Sequence, residues 1–178
     1  AIQAALNSSN SAIYIPSGRY RVTSTITRTG HTYLYGNSMT SSILQMEGVG
    51  FVFVGNNAGN EYDTHLLQIE KLSFESKVAA TVSIIDASWI DGIGGTSKTF
   101  IMRDCEITGT QASVGFTNAV KLTNARNICV ESVRILGDRR ENIPVVAADF
   151  DLRLRLDFLN VDHADASRNP DGLEPEVG

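Results

Sequence analysis

The most regular feature of the chain is a spacing of apolar residues that recurs. In Leu67-Gln68-Ile69-Glu70-Lys71-Leu72-Ser73-Phe74 the first, third, sixth and eighth places are apolar, and the places between are polar or charged. The template returns as Phe100, Met102, Cys105 and Ile107, then as Ile128, Val130, Val133 and Ile135, and again as Leu154, Leu156, Leu159 and Val161. Successive copies begin within the roughly 20–50-residue period that marks stacked structural repeats.

Apolar residues two places apart follow strand spacing, because side chains alternate faces along a strand. The step of three in the middle breaks that alternation. Each copy therefore predicts two short strands joined by a tight bend, at Glu70-Lys71, Arg103-Asp104, Glu131-Ser132 and Asp157-Phe158. A helix would need apolar residues at i, i+3, i+4 and i+7 over a longer span, and a β-sandwich needs alternation but no fixed template. The pattern predicts an all-β parallel solenoid whose inward side chains stack in columns, with Ile69, Met102, Val130 and Leu156 in one of them.

The rest of the chain fits round these copies. Ile2, Ala5 and Leu6 have helical spacing, which predicts a short N-terminal helix capping the open end of the solenoid. Residues 12–22 read as a strand, a Pro-Ser-Gly turn and a second strand. Residues 32–37, 42–46 and 51–54 make the next coil, and residues 81–86, 119–123 and 145–149, between the template copies, supply the third side of the later coils. Residues 56–64, 89–98 and 137–142 are polar and rich in turn formers, as expected of loops at coil corners, where groove walls are built. The division expected is one domain over 1–178, with a helical cap at 1–11 and β-helix coils at 12–178.

Composition narrows the function. A chain of 178 residues supports one sizeable core, and 42% hydrophobic residues with 15 glycines and only 7% aromatics suit many short strands and turns. A net charge of −5, with no basic cluster beyond Arg139-Arg140, argues against a nucleic-acid partner. No apolar run approaches a membrane span, so no membrane partner is expected. Cys105 occupies an inward template place and Cys129 an outward one, so the two are not expected to pair.

Two stretches carry a family resemblance. Ala1-Ile2-Gln3-Ala4-Ala5-Leu6, followed by Ile15-Pro16-Ser17-Gly18-Arg19-Tyr20, resembles the first coil of the pectin-lyase-like right-handed β-helix superfamily, which includes polygalacturonases, pectate lyases and phage tailspikes. Tyr35-Gly36-Asn37-Ser38 followed by Ser42-Ile43-Leu44 resembles the tailspike-like branch. The resemblance implies a right-handed parallel β-helix with a polysaccharide groove along one sheet. It covers the N-terminal part of that fold, so the chain is expected to be a truncated domain, completed by further chain or by a neighbouring subunit, as in a homotrimer.

The most specific chemical motif is Asn169-Pro170-Asp171-Gly172, followed by Glu174 and Pro175. It is similar to the Asn-Thr-Asp-Gly signature of the polygalacturonase family, with Pro170 in the Thr place. The resemblance implies that Asp171 is a catalytic carboxylate and that Asn169 and Glu174 bind substrate. Taken alone, the same four residues also make a plain turn. Inverting hydrolysis needs two carboxyl groups roughly 6.5–9.5 Å apart. In that family the partner aspartates, a Gly-His-Gly and an Arg-x-Lys lie further downstream, so this stretch is expected to hold an incomplete site. His163, beside Asp162 and Asp165, is a further acid–base or substrate-binding candidate, or an exposed turn residue.

Asp149 and Asp151 share one face of a predicted strand, either as calcium ligands or as a solvated acidic face. Trp89, Tyr33, Tyr35 and Tyr62 either stack on sugar rings or pack against the solenoid. The function expected is a polysaccharide-degrading glycoside hydrolase, met outside the cell or on a virion, with no cofactor. The alternatives are a calcium-dependent lyase and a non-catalytic glycan-binding spike.

Overall fold

Short alternating segments form twelve strands in the computed structural model, which describes residues 4–5, 8, 10–55, 65–78, 82–89, 98–109 and 116–136. The first coil is β1 (Ala12–Ile15), β2 (Gly18–Val22) and β3 (Ile26–Thr29), and the second is β4 (Thr32–Gly36), β5 (Ser42–Met46) and β6 (Phe51–Gly55). The third is β7 (Leu66–Glu70), β8 (Ser73–Ser76) and β9 (Ser83–Trp89). The fourth is β10 (Thr99–Gly109) and β11 (Asn118–Thr123), and β12 (Asn127–Leu136) opens the next. Every pairing is parallel, and each strand lies on its counterpart one coil earlier. This is a parallel β-helix.

Register turns the apolar template into columns. Ile13, Leu34, Ile69, Met102 and Val130 lie one above another, as do Tyr20, Leu44, Phe74, Ile107 and Ile135. Leu34, Ile69, Met102, Leu44, Phe74 and Ile107 are fully buried. The column predicted from sequence is therefore present over Ile69, Met102 and Val130, while Leu156 and the whole fourth copy of the template lie outside the described residues. A third wall comes from β3, β6, β9 and β11, which stack Ile26 on Phe51, Ile85 and Val120. Each fully buried aliphatic or aromatic side chain contributes roughly 1.5–3 kcal/mol, so repetition down the columns supplies most of the stability.

The bends explain how one strand pair serves two walls. Lys71, Asp104 and Ser132 have φ values of 56°, 50° and 53°. One left-handed residue reverses the alternation locally, so that Ile69 and Leu72, three apart, both point inward. The bend in the second coil is wider, and there Gly36 is required by close approach. A Cβ at that position would come within 2.6 Å of Ser42 Cβ and 2.7 Å of Leu72 Cδ2.

Three details differ from the sequence-based expectation. In the second and third copies the two predicted strands run on as one, β10 and β12, because the ladder continues past the bend on both sides. This joins the first and second walls into a single bent sheet. Strand β3 was not predicted, since one of its two inward places is held by the charged Arg28, which packs under Phe53 and donates to the carbonyls of Ser8 and Asn10. Burial lowers the Arg28 pKa from its ordinary value. Trp89 ends β9 and does not open a loop. Of the predicted N-terminal helix, Ala4 and Ala5 have helical backbone and the Ser8 amide donates to Ala5 O at 3.1 Å. The third-side strand expected at 145–149 lies outside the described residues.

An exposed substitution normally changes stability by less than about 0.5 kcal/mol. Lys71 is exposed but left-handed, a conformation that a β-branched residue adopts only with strain of about 1–3 kcal/mol. Lys71→Val is expected to lower the unfolding free energy by that amount in urea titrations, and Lys71→Asn to leave it level or raise it.

Candidate functional site

Stacking orders the outside of the helix as strictly as the inside. On the first wall the outward residues form two columns. One is Ala12, Tyr33, Gln68, Ile101 and Cys129, and the other is Tyr14, Tyr35, Glu70, Arg103 and Glu131. At about 4.8 Å per coil, the five levels extend about 19 Å.

The lower end of this face is aromatic. The rings of Tyr33 and Tyr35 are stacked at 4.6 Å with 17° between their planes, and Tyr14 lies 5.3 Å from Tyr35. Tyr14 remains 45% exposed. Its hydroxyl donates to Asn37 Oδ1, and Asn37 Nδ2 donates to Ser17 Oγ at 2.8 Å. The upper end is ionic. Glu70 accepts from Tyr33 Oη and from Gln68 Nε2, both at 2.8 Å. Arg103 bridges Glu70 at 3.7 Å and Glu131 at 3.3 Å. Acidic and basic residues thus alternate up the column, where like charges at strand spacing would repel.

Burial shifts the Tyr33 phenol up to about 12, with added contributions from its hydrogen bond to Glu70, the Glu70 charge and Tyr35. It is a proton donor throughout the physiological range. On the second wall Glu75 is nearly covered by Arg19 at 2.9 Å, Lys77 at 3.0 Å and Gln45 at 2.9 Å. Burial alone would raise the Glu75 pKa, but the hydrogen bonds from Gln45 and Lys77 and the charges of Lys77 and Arg19 outweigh it and hold it below the usual carboxylate range. Its partners make it a structural clasp.

The sequence-based candidates divide sharply. Asp171, Asn169, Glu174, His163, Asp149, Asp151 and Tyr62 lie outside the described residues. Tyr33 and Tyr35 come together on the outward face. Trp89 does not join them, being 2% exposed, packed 5.2 Å from Phe53 and donating its indole N–H to His65 O. Tyr14, Gln68 and the Glu70–Arg103–Glu131 column had not been singled out from sequence. Extending the template's register to the first coil would have placed Tyr14 beside Tyr35.

Cys105 and Cys129 are both free, as expected from their opposite faces. Burial pushes the Cys105 thiol up to about 12, so it stays protonated against the Arg103 carbonyl, 3.1 Å away. Among the described residues no group of His, Cys, Asp and Glu gathers as a metal site, and no helix is long and apolar enough to cross a membrane.

Residues 1–132 match the family model described as rhamnogalacturonase A/epimerase, pectate lyase-like. Neither curated proteins nor solved structures give a significant match.

The raised Tyr33 pKa gives an optical test. Below pH 10 the phenol is protonated in folded and unfolded chains alike, so its stabilising contribution is complete; it is lost as pH climbs from 10 through about 12. Spectrophotometric titration is expected to show a late phenol step near pH 12 that belongs to Tyr33. Tyr33→Phe should remove that step, and Glu70→Gln should move it to lower pH.

Proposed function

The chain belongs to the rhamnogalacturonase A/epimerase, pectate lyase-like family, and from that premise we propose that it is a polysaccharide-degrading glycoside hydrolase acting in a groove along the β-helix. The observation that carries this reading is the in-register face itself. Rings at one end, and carboxylate, amide and guanidinium groups at the other, form a straight polar–aromatic strip several sugar units long. Pyranose units offer the same mixture, with apolar C–H faces bounded by hydroxyls.

Hydrolysis requires a proton for the departing glycosidic oxygen and a base to take a proton from the attacking water. The hydroxyl adds to the anomeric carbon as the C–O bond breaks. Glu70 and Glu131 are both engaged by Arg103, an arrangement suited to aligning sugar hydroxyls. Asp171 is assigned to the acid–base pair on its resemblance to the polygalacturonase signature, with Asn169, Glu174 and His163 as substrate-binding residues. Such chemistry belongs outside the cell or on a virion, where polysaccharides are exposed.

A second reading, a glycan-binding spike without catalysis, is favoured by the ion pairing of both first-wall carboxylates. Asp171→Asn in the full-length protein is expected to reduce reducing-end release by at least about 100-fold, with an unchanged circular dichroism spectrum. Undiminished release removes Asp171 from the mechanism. Persistent retention of polysaccharide with no cleavage by the parent supports the spike. An unsaturated, ultraviolet-absorbing product lost on chelation would make the enzyme a calcium-dependent lyase.

A further inference from the structure

The lower end of the first wall contains a step. Ala12 lies directly under Tyr33 in register, and Tyr14, two places along the same strand, lies under Tyr35. Three corners of this square carry phenol rings and the fourth carries a methyl group. The low corner at Ala12 is exposed and is walled on two adjacent sides by Tyr14 and Tyr33.

The rings around this corner are held. Tyr33 is stacked on Tyr35 and anchored through its hydroxyl to Glu70, while Tyr14 leans on Tyr35 and is anchored to Asn37. A tyrosine fixed at both ring and hydroxyl, yet 45% exposed, presents a large amphipathic surface with little rotamer entropy left to lose. The core does not need Tyr14, because the inward residues of β1 are Ile13 and Ile15.

Charge selects among sugars. The ionic group bonded directly to these rings is the Glu70 carboxylate, which accepts from Tyr33. The next cation up the column, Arg103, is engaged by Glu70 below and Glu131 above. A uronate carboxylate at the Tyr33 edge would meet like charge, whereas a neutral ring meets none.

We propose that the step at Ala12, walled by Tyr14 and Tyr33, is a subsite for a neutral pyranose unit of the polymer. The apolar face of the sugar lies on the exposed ring of Tyr14. This rests on the polysaccharide reading above and adds to it a location and a preference for uncharged sugar.

The test is binding of the full-length protein to an array of neutral and uronate-containing polysaccharides, alongside three variants. Tyr14→Ala is expected to weaken capture of polymers containing neutral sugars by about tenfold with a melting temperature within about 2 °C of the parent. Tyr14→Phe should keep most of the affinity, because the ring carries the contact. Thr27→Ala, exposed on the third wall, should bind as the parent does. Parent-like capture by Tyr14→Ala, or capture by the parent of purely uronate polymers alone, overturns the subsite and leaves the polysaccharide reading standing. If the parent captures no glycan, the polysaccharide reading fails first and the subsite falls with it.

Discussion

Parallel, in-register stacking is the constraint on which the rest of this structure depends. The strands of an inner coil are hydrogen-bonded to the coils on either side, so the position of a strand side chain is set by the residue one turn earlier. Inside, this rule demands columns of matching bulk, and Ile13, Leu34, Ile69, Met102 and Val130 comply. At the bend it demands matching backbone, and Lys71, Asp104 and Ser132 share one left-handed conformation despite having nothing chemical in common. Conformation is conserved down that column where side-chain identity is not.

The same rule shapes the surface. A residue on the outside cannot choose its neighbours along the axis, and charges of one sign would be forced together. The first wall answers with Glu70, Arg103 and Glu131 in alternation, and the second wall pairs Arg134 with Glu106 at 3.0 Å. Exposed pairs of this kind are worth about 0–1 kcal/mol each, so they do little to hold the coils together. They fix the order of the charged groups along the surface.

Much of the fold was legible because the apolar template is written three times over within the described residues. Ile69, Met102 and Val130 could be placed in one column, and Cys105 and Cys129 on opposite faces, from spacing alone. What escaped was whatever departs from hydrophobic patterning. Strand β3 was missed because a buried arginine fills an inward place and looks polar in sequence. Trp89 was assigned to a loop because glycines follow it, although packing on Phe53 extends the strand. The outward face was hard to read for a different reason. Tyr14 and Glu70 acquire meaning only when the register between coils is known, and the five-residue bend between Gly36 and Ser42 hides that register from simple counting.

Arg28 has a bearing on solubility. A stack of parallel strands is a template for its own extension, and an open edge with apolar residues beneath it invites another molecule to continue the pile. At β3 one inward place is held by a guanidinium already bonded to the carbonyls of Ser8 and Asn10. A foreign strand docking there would have to displace those bonds and bury a cation against its own core, a combination that edge strands use to discourage fibre growth.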